Sequence, residues 1–221
     1  MTHNVPLAGI LTEGFAEMGL LVSGDQLASC LLLAAELKKW NRRVNLTAIT
    51  DDRGIAAKHL IDSCMLASTL PERGQLLDIG SGAGFPAIPI ALFRPDMSVV
   101  SIDAVAKKIS FQRHAARLLG LKNVEAVHVR AEDLARSRPH SFDLVVSRAF
   151  SRIDLFVELG APLMKRGGCL VAMKGPATGD ELDAAGRVLE QNGLICTETT
   201  HYCLPFGSGD RSLIHISRNY S

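Results

Sequence analysis

The apolar positions of the chain change their period near residue 72. From residue 5 to 70 they recur at helical spacing. Leu7, Ile10, Leu11, Phe15 and Met18 form one stripe; Leu27, Cys30, Leu31, Ala34 and Leu37, with Trp40 less regularly, form a second after the start signal Ser23-Gly24-Asp25. A third helical stretch, from about Ile55 to Leu70, carries His59 and Asp62 and runs up to Pro71. From Gln75 onward short apolar runs alternate with helical stretches. The runs are Gln75 to Ile79, Met97 to Ile102, Val124 to Val129, Phe142 to Ser147, Gly168 to Met173, Leu194 to Glu198 and Leu213 to Ser217, and one helix spans about Lys107 to Leu119, closed by Gly120. This alternation predicts an α/β fold with a mostly parallel sheet of about seven strands, covered on both faces. Residues 1–72 read as a helical extension packed on the core, and 73–221 as the α/β domain.

The first of these runs ends in an acid and breaks into alternating glycines, Asp78-Ile79-Gly80-Ser81-Gly82-Ala83-Gly84-Phe85. Glycine takes φ > 0 without cost and lets a ligand reach the backbone, so the loop reads as a cradle. A dinucleotide fingerprint is G-x-G-x-x-G; here the spacing is G-x-G-x-G, with Phe85-Pro86 where a third glycine would be needed. The carboxylate of Asp78 would repel a pyrophosphate and attract the ammonium and sulfonium of S-adenosylmethionine (SAM). Pro86 and Pro89 fall in the first turn of the next helix, where a missing N–H costs little. Asp103 ends the second strand 19 residues past Gly84, where a ribose diol would be held. The third strand runs into Arg130-Ala131-Glu132-Asp133, a turn placed either to meet an adenine edge or simply to start a helix with acids at its positive end.

Composition narrows the partners. The chain has 221 residues, 47% of them apolar, which is enough for a full core. A formal charge of +1 excludes a strongly basic, sequence-blind nucleic-acid binder, so any RNA contact must come from local clustering. Arg42-Arg43, Arg53-Lys58, Lys107-Lys108 and Arg113-His114-Arg117 are the candidate phosphate contacts, although each alone is more often a solvated face. Five scattered cysteines without a C-x-x-C pair indicate a reduced compartment and buried structural thiols. The seven histidines lack metal spacing, so no metal is expected. Neither a membrane span nor a signal-peptide pattern at Met1-Thr2-His3-Asn4 is visible, and a soluble cytoplasmic protein is expected.

Several motifs, in one order, resemble the bacterial ribosomal RNA small subunit methyltransferase G family, also called the glucose-inhibited division protein B family. They are Trp40-Asn41-Arg42-Arg43-Val44-Asn45-Leu46-Thr47, Lys58-His59-Leu60-Ile61-Asp62-Ser63, the glycine loop, Ser147-Arg148-Ala149-Phe150, Met173-Lys174-Gly175 and Gly209-Asp210-Arg211. The resemblance implies a Rossmann-like class I SAM-dependent methyltransferase sheet whose last strand is antiparallel. It further implies methyl transfer to N7 of the guanine at position 527 in the 530 loop of 16S rRNA, free or in the small ribosomal subunit. On the family pattern Gly80, Phe85, Ala131, Glu132 and Arg148 surround the cofactor, while Arg130, Lys174 and Arg211 lie close to the reaction centre. Ala87 departs from the glycine expected after Pro86.

The residues also make chemical sense without the family. Guanine N7 has an in-plane lone pair and no proton, so transfer needs alignment and no general base. Arg148, Lys174, Arg130 and Arg211 are therefore assigned to positioning SAM and RNA, and are expected to converge at the cofactor's methyl end because three of them follow strand ends. The cofactor set is Asp78, Gly80, Gly82, Gly84, Phe85, Asp103, Ala131, Glu132 and Arg148. His59 and Asp62, i and i+3 on one helix, favour a plain structural hydrogen bond. Asn45 is open between contact with guanine and capping, and Phe150 between stacking on a base and packing in the core. Two other readings compete: a small-molecule SAM methyltransferase closed by the helical cap, and a non-catalytic nucleotide- or RNA-binding module. A NAD-linked dehydrogenase fits less well, lacking the third glycine. Oligomeric state has no signature in the sequence; a monomer is favoured.

Overall fold

A computed structural model of the chain describes residues 5–148, 150, 152–176 and 179–218. Met1 to Asn4 and Ala149, which figured in the motifs above, lie outside the described residues. One sheet contains β1 (Gly74–Ile79), β2 (Met97–Asp103), β3 (Val124–His128), β4 (Phe142–Ser147), β5 (Met164–Lys174), β6 (Leu194–Cys203) and β7 (Asp210–Arg218), in the order β3-β2-β1-β4-β5-β7-β6. β1 to β5 pair in parallel and β7 enters antiparallel between β5 and β6.

The continuous apolar runs arise because the central strands are covered on both sides. Neighbouring residues go to opposite faces: Leu77, Val100 and Val145 pack against α7 (Ala131–Ser137), α8 (Ile153–Gly160) and α9 (Gly179–Gln191). Leu76, Val99 and Val146 pack on the other face, against Leu66 and Leu70 and against Ile90 of α5 (Ala87–Phe93).

The amino-terminal helices are α1 (Leu7–Glu17) and α2 (Gly24–Asn41), the latter started by a reciprocal capping box between Ser23 and Gln26. Their stripes share one core with Phe85, with Ile88 of α5 and with Phe111 and Ala115 of α6 (Ala106–Leu118), so the cap is packed on the sheet layer and has no separate core of its own.

Two expectations need correction. The helical stretch read from Ile55 starts earlier, at Asp52, because Asp51 caps it through Gly54 N–H. It is also not one α-helix: α3 (Asp52–Ile55) passes into a π-helical turn, Ala56–Ile61, before α4 (Asp62–Thr69). Such wide turns concentrate at functional sites. β6 runs on past Glu198 to Cys203, since Thr199 to Tyr202, although polar, keep their ladder with β7 at the sheet edge.

Candidate active site

β1 lies between β2 and β4, where the strand order reverses, and open α/β sheets bind ligands just outside such a switch point. The chain leaves β1 through Gly80, Gly82 and Gly84, whose φ values of 71°, 58° and 83° all lie in the left-handed region. Ile102 O accepts from Gly80 N and Ser81 N, both at 3.0 Å. Buried Gln112, on α6, donates to Ser81 Oγ and Gly82 O at 2.8 Å and accepts from Ser101 Oγ at 2.5 Å. The loop is thus fixed from behind. A Cβ on Gly84 would meet Ile88 Cδ1 at 2.5 Å, so Gly84 serves packing, whereas a Cβ on Gly82 would face open space. Of the two, Gly82 is the one that leaves open space beside the turn.

Two acids frame the loop. Asp103 is buried, its Oδ2 accepting from Gly82 N at 3.0 Å and its Oδ1 from Val105 N at 2.8 Å, with Lys108 Nζ 3.8 Å away. It closes the cradle and retains lone pairs for a diol. Asp78 is fully buried and accepts from Ala87 N at 3.2 Å through Oδ2, while Oδ1 has no partner among the described residues. Burial pushes its carboxyl up to about 7, against the pull of the Ala87 N–H and of Arg148. An unpaired acceptor beneath an open glycine turn suits the ammonium of SAM. Ala87, the departure from the family pattern, is fully buried and supplies only its N–H here, so its methyl group leaves the cradle intact. Ala131 is buried and Glu132 exposed in the first turn of α7, at the carboxyl end of β3.

Beside the loop opens a cleft of about 400 Å³, lined by Ile49, Lys58, His59, Asp62, Arg148, Met173, Lys174, Gly175 and Arg211. Phe85 joins cradle and cleft: the His59 ring stacks on it at 4.8 Å and the Arg148 guanidinium lies 5.8 Å from its centroid. Arg148 is braced on three sides, donating to Lys58 O at 2.5 Å and to His59 Nδ1 at 3.1 Å, with Asp62 Oδ2 at 3.8 Å. Burial, and then the Arg148 charge, bring the His59 ring down to about 3. The ring is therefore neutral near pH 7. As Nδ1 accepts from Arg148, the hydrogen-bond network assigns the proton to Nε2, which donates to Thr47 Oγ1 at 2.8 Å. Asp62 Oδ1 accepts from Tyr202 Oη at 2.7 Å and its Oδ2 lies 3.6 Å from Arg211 Nε. Burial raises the Asp62 carboxyl, and Arg148, Tyr202 and Arg211 oppose that rise. Lys174 donates to Phe150 O at 3.1 Å and pairs with Glu181 at 2.5 Å.

Arg148, Lys174 and Arg211 thus come together as expected. Arg130 does not join them: it is exposed at the start of α7, beyond edge strand β3, and β2 and β1 lie between β3 and β4. Three strand spacings amount to roughly 14 Å. Being at the same sheet edge is therefore not enough for convergence. His59 and Asp62 hold Arg148 from two sides instead of bonding each other. Phe150 stacks on Phe156 at 5.9 Å against the core. The residue that organises the loop after α2 is Asn41, whose side chain bonds Leu46 N, Thr47 N and Thr47 O, while Asn45 is exposed. Sequence reasoning did not single out Tyr202 or Gln112, and it gave Thr47, inside the Trp40 motif, no role of its own. Tyr202 lies 140 positions from Asp62, and no local pattern announces the pair. Among the described residues no group of His, Cys, Asp or Glu could hold a metal ion, and no helix is long and apolar enough to cross a membrane.

Sheet order, antiparallel β7 and the glycine loop define the class I SAM-dependent methyltransferase fold. M. jannaschii TYW2, solved in complex with AdoMet, shares it with a TM-score of 0.58 at 15% identity over 73% of this chain and 76% of that one. The family profile of rRNA small subunit methyltransferase G, GidB, matches residues 26–208. The protein of that name from Geobacter sulfurreducens is 50% identical over 94% of this chain and 95% of its own, and the one from Geobacter sp. strain M21 is 51% identical over 95% and 97%. The chain belongs to the rRNA small subunit methyltransferase G (GidB) family.

Proposed function

We propose that the protein transfers a methyl group from SAM to N7 of the guanine at position 527 in the 530 loop of 16S rRNA, acting in the cytoplasm as a monomer. Residues 73–221 form the catalytic domain and 1–72 an extension that completes the cleft. The observation that carries the reading is the cationic cleft of Arg148, Lys174 and Arg211 joined to the glycine cradle through Phe85. When bound, SAM supplies a sulfonium methyl carbon open to direct attack by a lone pair. Asp78 takes the ammonium, Asp103 the ribose diol, Gly80 and Gly82 the backbone approach, and Ala131-Glu132 the adenine edge. Guanine N7 carries no proton, so no residue acts as a base. The rate comes from holding the reacting atoms in line, about 3–3.5 Å apart.

Arg148, Lys174 and Arg211 present N–H donors to guanine O6 and phosphate. Methylation leaves positive charge on the base, which these cations would disfavour. The carboxylates of Asp62 and Glu181, each paired to cleft cations, offset part of that repulsion. The neutral His59 fixes Arg148 without adding charge.

The direct test incubates purified protein and labelled SAM with RNA from cells lacking the gene and maps the methylated nucleotide. A single N7-methylguanine in the 530 loop is expected; label elsewhere in the RNA, or in a small molecule only, would reject the assignment. Asp103→Ala should weaken SAM binding by about 1.5–3 kcal/mol, the worth of hydrogen bonds to a charged group. Calorimetry returning the parent's affinity for a folded variant would remove Asp103 from the ribose site.

A further inference from the structure

The catalytic cleft continues across the helical cap. Ile49, at its rim, also lines a second groove of about 320 Å³ together with Lys38, Asn41, Arg42 and Thr47. Arg42 in turn lines a third, of about 290 Å³, together with Lys39, Trp40 and Arg43. Through these shared residues the three depressions adjoin one another, in a row from the reaction centre to Trp40. The floor of this track is fixed: Asn41 holds the 42–47 loop by three hydrogen bonds of 2.8–3.0 Å, and Thr47 connects that loop to His59 and hence to Arg148.

The structure also sorts the basic pairs. Arg113 donates to Ala126 O, Lys108 faces Asp103, His114 bonds Glu36 at 2.8 Å and Arg53 lies over the Phe206 ring. These four are engaged in holding the fold, whereas Lys107 and Arg117 are exposed and line none of the three grooves. On the track, Lys38 is paired with Asp52 and Lys39 with Glu36. Arg42 and Arg43 are exposed and enter no ion pair with the described residues. Trp40 packs on Phe111 at 5.6 Å and on His114 at 5.1 Å, both on α6, and stays partly exposed, an anchored aromatic surface next to two uncommitted guanidiniums. Cations along a groove with an aromatic ring beside them are what single-stranded nucleic acid requires. A net charge of +1 gives such local clustering the task of attracting phosphate.

We propose that this track binds the single-stranded RNA flanking the methylated guanine, Arg42 and Arg43 on its phosphates and Trp40 against a base. The proposal rests on the reading of the cleft as an RNA methylation site and extends the recognised substrate beyond the target nucleotide.

The test compares the full-length parent with the double variant Arg42→Gln, Arg43→Gln on a protein-free transcript of the 530-loop region, with SAM affinity as the folding control. Binding is measured against salt, since each single-strand phosphate contact contributes about 0.7 to the log–log slope. The expected result is a slope shallower by about 1.4, a KM for RNA raised several-fold, and unchanged SAM affinity. A variant that keeps the parent's slope and KM overturns the track while leaving the methyltransferase reading intact. A parent that fails to methylate the transcript and whole small subunits alike overturns that reading, and the track with it. A defect seen with assembled small subunits and absent on the transcript assigns the groove to a ribosomal protein and overturns the RNA occupant.

Discussion

Asp78→Asn is expected to stabilise the ligand-free protein at pH 8 and at the same time to cripple SAM binding. The Asp78 carboxyl ordinarily titrates at 3.8 and is pushed up to about 7 in the fold by complete burial. A carboxyl raised on folding contributes stability that is fully present below 3.8 and is lost as pH rises through 7. At one pKa unit per 1.36 kcal/mol, the loss approaches about 4 kcal/mol as an upper bound. Asparagine stays neutral, keeps a carbonyl oxygen for the Ala87 N–H and removes that loss. The melting temperature of the variant should therefore match the parent's near pH 4 and exceed it by a margin that widens up to pH 7. SAM affinity should fall by about 1.5–3 kcal/mol, because the charge-assisted bond to the ammonium is gone. In the parent, affinity should rise from pH 5.5 to 7 as the carboxyl ionises. Thermal scans at pH 4, 6 and 8 with parallel calorimetry check both halves. A gap between the two proteins that does not vary with pH would mean that Asp78 is ionised and stably paired without ligand.

Asp62→Ala is the second large effect. The Asp62 carboxylate is 1% exposed and is the shared partner of Tyr202, Arg148 and Arg211. Removing one partner of a buried pair costs about 3–5 kcal/mol, since the remaining charge is left uncompensated. The lower end is expected here because the arginine side chains keep 24% and 21% of their exposure. Tyr202→Phe, which removes one hydrogen bond to a charged group and keeps the ring, should cost about 1.5–3 kcal/mol. Urea denaturation measures both. In a folded variant, methyl transfer should fall further than SAM affinity, as Arg148 and Arg211 lose their common anchor while the cradle at Gly80 to Gly84 is untouched. Equal losses in both quantities would show that Asp62 supports the whole domain instead of orienting the two arginines.

The amino-acid sequence by itself determined the features that are local in physical origin. Helical stripes in the cap, continuous apolar runs in the central strands, the Ser23 start signal, the left-handed glycines and the acids at strand ends all follow from neighbours a few residues apart, where sterics and burial act on short stretches of chain. That is why the sheet, the cradle and its cofactor chemistry could be read without coordinates. The tertiary structure alone decided which cations meet. Arg148, Lys174 and Arg211 share a cleft because β4, β5 and β7 are consecutive in the sheet, while Arg130 is carried off by β3 at the far edge. Asp62 became the hub because it faces Tyr202 from across 140 positions of chain, a pairing set by how α4 packs beside the edge ladder. The wide turn at Ala56–Ile61, the assignment of His59 to Arg148 and the adjacency of three grooves through Ile49 and Arg42 belong to the same category. Each depends on long-range packing, for which no short-range pattern in the chain provides a signal.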